Sequence, residues 1–190
     1  MIAAEDTACI LLAAGQPRRF KSGHKLLEPF RGAPLASHAA NTLASLPFKV
    51  HAAVTSQATN ELFRPPFLTY INATPESGIA GSITIGVKAV MPTAPRAILI
   101  ALADMPLVPL AHFEALLGAF DATQNGQAIA SICSGRVQVP ALFPVEAAQE
   151  LKGLQGDNGA KAILKSAKSV SCDPLWLMDF DTAADFAKLK

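Results

Sequence analysis

The amino-acid sequence predicts an α/β protein with a mainly parallel sheet that is covered by helices on both faces. Two stretches carry this prediction, Ala8–Ala13 (ACILLA) and Ala97–Ala103 (AILIALA). Each is continuously apolar, as expected of a strand buried on both sides. Between them, short apolar runs alternate with helical patterns, which is the order that places helices around a parallel sheet. The chain has 190 residues, of which 51% are hydrophobic, and this suits one domain over 1–190.

The other elements follow from local patterns along the chain. Pro34 is predicted as the first residue of a helix, in which Leu35, Ala39 and Leu43 recur at helical spacing. The other predicted helices span Gly81–Val90 or begin at Pro109, near Pro144 and near Asn158. The further predicted strands are Val50–Val54, Phe67–Ile71, Gln127–Cys133, Val137–Phe143 and Leu175–Phe180. The third and fourth of these form a hairpin around Ser134-Gly135, and Thr182 with Asp185 resembles a capping box for a terminal helix.

Composition and charge exclude several classes of protein. The chain has 16 Lys plus Arg against 15 Asp plus Glu, which argues against a nucleic-acid surface. No apolar run approaches the ~18 residues that span a bilayer, so no membrane partner is expected. The N-terminus is acidic and lacks the basic start of a signal peptide. Three scattered cysteines, Cys9, Cys133 and Cys172, lack metal-ligand spacing; we expect packed thiols in a reducing cytoplasm.

A basic, glycine-containing loop follows the first predicted strand. It runs to Lys25 and contains Gly15, Arg18, Arg19 and Gly23. Backbone N–H groups near small residues, together with Arg and Lys side chains, can hold phosphate oxygens. The alternative is a basic surface loop without a ligand. The loop matches neither the Walker pattern G-x-x-x-x-G-K-[ST] nor the dinucleotide pattern G-x-G-x-x-G.

Two further segments place candidate groups near that loop. Asp104 follows the buried strand at Ala97–Ala103, so its carboxylate is expected at the ligand-binding edge of the sheet and can hold Mg²⁺. Alternatively, Asp104 is an exposed turn residue or a helix cap. The second segment, Gly78–Gly86, is a glycine-containing helix start. Asn72 follows another predicted strand and is a weaker candidate for a ligand-binding residue at this edge.

These segments together resemble one family. The string L-A-A-G-x-x-x-R-F-x-x-x-x-K-L-L at Leu12–Leu27 is similar to the signature of the molybdenum-cofactor nucleotidyltransferases, and L-A-D-M-P at Leu102–Pro106 resembles their metal-binding segment. Gly78–Gly86 resembles the G-x-x-x-S-x-x-x-G segment of related cytidylyltransferases. The chain departs from the family at Pro17 and Lys21. The resemblance implies a Rossmann-like three-layer sandwich that transfers a nucleotide from CTP or GTP to a molybdopterin phosphate.

The resemblance also implies roles for individual residues. Arg19 and Lys25 would bind phosphates, Asp104 would hold Mg²⁺, and Ser82 would bond to the base or sugar. The full set of implied nucleotide-binding residues is Leu12, Ala13, Ala14, Gly15, Arg19, Lys25, Asn72, Gly78 and Ser82. Asp181 fits two roles, a second metal ligand or a helix cap, and Asp157 is as compatible with a cap as with a substrate contact. The L-A-A-G form favours CTP over GTP.

Two alternatives to a CTP:molybdopterin enzyme stay open at this stage. One is a guanylyl- or cytidylyltransferase that acts on another phosphorylated metabolite, such as a sugar phosphate or methylerythritol phosphate. The other is a nucleotide-binding maturation protein without turnover, although intact Lys25 and Asp104 argue against it. A molybdoenzyme or its maturation chaperone would be the protein partner that the resemblance implies.

Overall fold

The computed structural model describes residues 1–15, 24–120, 126–156, 159–180 and 185–186. The strands are β1 (Thr7–Ala13), β2 (Pro29–Phe30), β3 (Ala33–Pro34), β4 (Val50–Thr55), β5 (Phe67–Ile71), β6 (Ala97–Leu102), β7 (Ile129–Cys133), β8 (Arg136–Pro144) and β9 (Lys168–Ser171). The helices are α1 (Leu35–Ala44), α2 (Gly78–Val90), α3 (Leu110–Ala119), α4 (Ala148–Lys152) and α5 (Lys161–Leu164).

Seven of these strands form one sheet in the order β5-β4-β1-β6-β8-β7-β9. Only β8 is antiparallel to its neighbours in this sheet, and all pairs without β8 are parallel. The strands β1 and β6 lie side by side at the centre. Their residues are almost completely shielded from water, which explains why both read as continuous apolar runs.

The sheet separates two apolar layers. Alternate residues of β1 point to opposite faces, so Leu11 packs with α1 and α3 whereas Ile10 packs with α2, α4 and α5. Gly86 permits the close approach of α2 to β1, because a Cβ there would lie 2.6 Å from Cγ2 of Ile10. The predicted α/β class, with a mainly parallel sheet and helices on both faces, is therefore confirmed.

Two predicted elements are wrong. Leu175–Phe180 forms turns followed by irregular chain instead of a strand, and its apolar side chains Leu177 and Phe180 pack into the core on the α1 and α3 side. The edge strand is instead β9. Pro34 ends β3 with extended dihedral angles (φ −55°, ψ 140°), and α1 begins one residue later. The capping box at Thr182 and the helix start at Asn158 lie outside the described residues.

The predicted hairpin is confirmed. β7 and β8 pair antiparallel, and the two residues that join them, Ser134 and Gly135, have positive φ angles of 47° and 77°. Two-residue turns with this left-handed backbone match the twist of paired strands. Among the described helices, none is long and apolar enough to cross a membrane.

Candidate functional site

The start of the basic loop and the segment that carries Asp104 meet at the carboxyl ends of the two central strands. β1 leads through Ala14 to Gly15, and β6 leads through Ala103 to Asp104. The two strand ends are joined by a hydrogen bond of 3.0 Å from the Ala103 amide to the Leu12 carbonyl. Leu12, Ala13 and Ala14 are buried. Ligands of open α/β sheets bind at this edge.

Lys25 and Asp104 form an ion pair at this junction. Lys25 Nζ donates to Asp104 Oδ2 at 2.6 Å, and the two side chains are 13% and 18% exposed. A short turn places Lys25, since Lys25–Leu27 forms a single 3₁₀ turn. The pair is thus partly shielded but still reachable from solvent. A charge-assisted hydrogen bond in such a partly buried place is stronger than one on an open surface.

His24 lies beside the candidate site and was not singled out from the sequence. It precedes Lys25, and its Nδ1 accepts a bond of 3.4 Å from the Leu26 amide. Its Nε2 is buried and has no hydrogen-bond partner among the described residues. Burial, followed by the nearby Lys25 charge, lowers the pKa of His24. A hydrogen bond with the Gly15 backbone acts in the opposite direction and has a smaller effect. The folded protein therefore favours the neutral form of this ring, and a lone His in a basic loop gave no sequence signal of this.

Gly15 is not required by packing within the described structure. A Cβ added at this position would meet no atom within 4 Å. By contrast, Gly78 has a left-handed φ of +68° at the start of α2, and a Cβ at Gly81 would lie 1.8 Å from Ser77 Oγ. The glycines at the helix start thus serve local geometry, whereas Gly15 leaves open space beside the strand ends.

Asn72 and Ser82 form a second pair at a different place on the same edge. Asn72 Nδ2 donates to Ser82 Oγ at 3.1 Å, and both residues are buried. Asn72 Oδ1 accepts from the Thr74 amide at 2.9 Å, so Asn72 also shapes the loop after β5. β5 and β6 are separated by two strands, which is roughly 14 Å at the usual strand spacing. The two pairs therefore bracket the end of β1.

A cavity of about 650 Å³ opens on the α2 and α5 side of this edge. Its apolar wall includes Leu12, Ile79 and Val139, and its polar lining includes Arg136, Lys161, Lys165 and Asp179. Asp179 connects the cavity to the ion pair, because the next residue, Phe180, donates its amide to the Asp104 carbonyl at 3.2 Å. Three cations against one carboxylate in this lining favour an anionic ligand.

A larger cavity, of about 940 Å³, lies at the opposite edge of the sheet. Its lining includes Arg96, Glu146 and Glu150 and contains none of the predicted site residues. Its larger volume does not identify it as the functional site, because the predicted site residues that are described lie at the carboxyl edge of the sheet.

Arg19, Asp157 and Asp181 lie outside the described residues, as do Pro17 and Lys21, at which the chain departs from the family signature. Within the part of the chain that is described, no group of three or more His, Cys, Asp and Glu side chains could hold a metal ion. Among the described residues Asp104 is thus a single carboxylate ligand, and Mg²⁺ bound through one carboxylate also accepts phosphate oxygens and water.

The fold is an open α/β sheet whose candidate phosphate- and metal-binding residues lie at its ligand-binding edge. Residues 9–171 match the MobA-like NTP transferase domain, so the chain belongs to the MobA-like nucleotidyltransferase family. It is similar to the purine catabolism protein PucB of Bacillus subtilis, with 29% identity over 170 residues that cover 84% of this chain and 80% of PucB.

Solved structures share the fold. A homologue of Rv0371c from a Mycobacterium species has a TM-score of 0.80 at 19% identity, covering 97% of this chain and 95% of that one. A nucleotidyl transferase from Methanothermobacter has a TM-score of 0.77 at 18% identity, covering 96% and 94%. Rv0371c of Mycobacterium tuberculosis in a complex with manganese has a TM-score of 0.76 at 19% identity, covering 96% and 97%. These likenesses confirm the Rossmann-like α/β fold.

Proposed function

We propose that this protein transfers CMP from CTP to the phosphate of a molybdopterin-type acceptor. An acceptor phosphate oxygen attacks the α-phosphorus of CTP, the bond from that phosphorus to the β-phosphate oxygen breaks, and pyrophosphate leaves. The acceptor phosphate is already anionic, so the chain needs to position and neutralise charge rather than remove a proton. The observation that carries the proposal is the Lys25–Asp104 pair, which joins two family motifs at the ligand-binding edge.

Lys25 would neutralise phosphate charge during the transfer. Its Nζ is held by Asp104 at 2.6 Å, which fixes the long side chain before the nucleotide arrives. Nucleotide phosphates would then share the ammonium with Asp104. Arg19 would add a second cation from the same loop. Gly15 would let the backbone approach the phosphates, in keeping with the open space beside it.

Asp104 is proposed as the ligand of a divalent cation, Mg²⁺ in our proposal. Its carboxylate is 18% exposed and lies at the sheet edge where the phosphates are expected. The manganese complex of Rv0371c, a protein of the same fold, supports the use of a divalent ion, and its placement at Asp104 is our proposal. Such an ion would neutralise phosphate oxygens and favour departure of pyrophosphate. Asp181 is proposed as a further ligand.

Ser82 is proposed to bond to the base or sugar, with Asn72 holding its hydroxyl in place. Ala14 supports CTP as the donor, because its methyl is buried on the α2 side of the sheet and leaves less space than glycine. One methyl group is worth about 1–3 kcal/mol of discrimination. The variant Ala14→Gly should therefore raise turnover with GTP relative to CTP by roughly tenfold or more.

The acceptor is proposed to occupy the cavity of about 650 Å³. Its apolar wall suits a ring system and its cations suit anionic substituents. The double variant Lys161→Ala/Lys165→Ala should raise KM for the acceptor about tenfold or more while KM for CTP stays unchanged. Lys88→Ala, an exposed change on α2, is the matched control. An equal rise in both KM values would contradict this location.

The decisive experiment measures pyrophosphate release from CTP or GTP with Mg²⁺ or Mn²⁺ and molybdopterin. We expect release only with acceptor, faster with CTP than with GTP, and none after chelation of the metal. Equal rates with CTP and GTP would remove the donor assignment. Nucleotide-dependent thermal stabilisation without pyrophosphate release from any pterin acceptor would instead indicate a nucleotide-binding maturation protein without turnover.

A further inference from the structure

Cys133 and Cys172 stand opposite each other at the ends of two parallel strands. The last paired residues of β7 and β9 are Ile132 and Ser171. Beyond them, the Cys172 amide donates to the Ile132 carbonyl at 3.2 Å. In a parallel ladder this bond belongs to the pair Ile132 and Ser171. Continuing the same register by one position sets Cys133 across from Cys172 at the end of the ladder. The two cysteines are 39 positions apart in the sequence and carry no motif.

The two thiols also share a face of the sheet. Both side chains are half-buried and pack against the apolar layer that contains α1 and α3. The Cys172 thiol donates to the Ile132 carbonyl at 3.5 Å, and Cys133 Sγ lies 3.5 Å from Ser134 Oγ. Cys9, the third cysteine, is fully buried within β1. All three cysteines therefore pack against apolar side chains as expected, Cys9 within the core and the other two at its margin.

The spacing suits a covalent link. Neighbouring strands lie about 4.8 Å apart, and a disulfide needs a Cα separation of about 4.4–6.8 Å. Both positions are at strand ends, where small adjustments of the backbone cost little. From this geometry we infer that Cys133 and Cys172 form a dithiol modification site, which a hydroperoxide converts into an intrachain disulfide.

The reaction balances with the hydroperoxide as the two-electron oxidant. The Cys133 thiolate attacks the terminal peroxide oxygen and breaks the O–O bond, which yields a sulfenic acid and an alcohol, or water if the oxidant is hydrogen peroxide. The Cys172 sulfur then attacks the Cys133 sulfur, and the hydroxyl leaves as water with the Cys172 proton. Burial, followed by the nearby Cys133 and Asp173, raises the pKa of Cys172. This disfavours the thiolate form of Cys172, so the first attack on the peroxide is assigned to Cys133.

The site lies at the same edge as the ion pair. Cys133 leads through Ser134-Gly135 into Arg136, which lines the cavity of about 650 Å³. Cys172 begins the segment that ends at Phe180, whose amide bonds to the Asp104 carbonyl. A disulfide would tie these two segments together. The proposal concerns the thiols alone and does not depend on nucleotidyl transfer.

The test treats the reduced full-length protein with hydrogen peroxide and counts thiols after denaturation. We expect the count to fall from three to one, the mass of the monomer to fall by about 2 Da, and a peptide pair linked through Cys133 and Cys172 to appear. Dithiothreitol should restore three thiols. Cys9→Ala should still lose two thiols, whereas Cys133→Ser and Cys172→Ser should form no intrachain link.

Three results would overturn the inference. One is a link that involves Cys9, and another is loss of thiols only into dimers between chains. The third is conversion of Cys133 to its sulfinic acid without any link to Cys172. A melting curve of the oxidised protein separates these chemical results from unfolding, because a native link should leave the melting temperature unchanged or higher.

Discussion

Replacing Asp104 by asparagine tests the ion pair most directly. The amide keeps the shape of the side chain and removes its charge. In the native protein Asp104 Oδ2 accepts from Lys25 Nζ at 2.6 Å, and a hydrogen bond between charged groups contributes about 1.5–3 kcal/mol. Both side chains keep some exposure, 13% and 18%, so water offsets part of the loss. We expect stability to fall by about 1–2 kcal/mol, which lowers the melting temperature by roughly 2–8 °C in a chain of this size.

Activity should fall much further than stability. Removing one charged group that stabilises the transition state typically costs about 10²–10³ in rate, or roughly 2.7–4 kcal/mol. A coupled assay of pyrophosphate release therefore measures a loss of at least a hundredfold in kcat/KM for Asp104→Asn, at a temperature where circular dichroism shows a folded protein. The loss should be in kcat, because the charge acts on the departing phosphates.

The matched control is Asp6→Asn. Asp6 also pairs with a cation, since its Oδ2 lies 3.5 Å from Arg96 Nη1, but this pair is 42% and 61% exposed and precedes β1 and β6 rather than following them. Exposed pairs contribute about 0–1 kcal/mol, so this variant should keep its activity. Near-normal pyrophosphate release by folded Asp104→Asn would refute the assigned role, and an equal loss in Asp6→Asn would show that the assay reports general damage.

Three further predictions concern packing, the phosphate loop and pH. Gly86→Ala should destabilise the fold by about 1–3 kcal/mol, because its Cβ would lie 2.6 Å from Ile10 Cγ2. Gly118→Ala is the control and should not destabilise the fold, because there is open space around the new Cβ. Urea unfolding measures the stability of both variants. Gly15→Ala should weaken CTP binding about tenfold in calorimetry without lowering the melting temperature, whereas a lower melting temperature with normal binding would contradict the role. Burial lowers the pKa of His112, so the folded state disfavours its charged form. Stability should therefore fall as pH drops below about 6.5, and this decrease should be smaller in His112→Asn; an identical pH dependence would exclude the residue as its source.

Local pattern predicted the elements that are buried on both sides and failed where an element lies at the edge. β1 and β6 are continuous apolar runs, and their limits agree with the structure to within one residue. β9 reads KSVS and is mostly exposed, so it has neither alternation nor an apolar run. The more apolar Leu175–Phe180 was predicted in its place. Its burial is real, since Leu177 and Phe180 are 5% and 0% exposed, but turns bury them instead of a strand.

The candidate site was predictable in part for the same reason. Asp104 and Gly15 follow buried strands, and parallel strands bring their carboxyl ends to one edge, so their neighbourhood follows from the order of elements. His24 stands out because one of its ring nitrogens is buried, and Arg136 stands out because it lines a cavity. Neither property can be predicted from residue spacing or composition.

The sequence alone determined the α/β class, the central strands and the residues that follow them, because the pattern of apolar residues in each segment indicates how that segment is buried. The tertiary structure decided which side chains meet. Lys25 and Asp104 are 79 positions apart, and Cys133 and Cys172 face each other only because β9 adds to the edge of β7. Such contacts depend on strand order and register, which are set by the fit of whole surfaces across the sheet rather than by any local pattern.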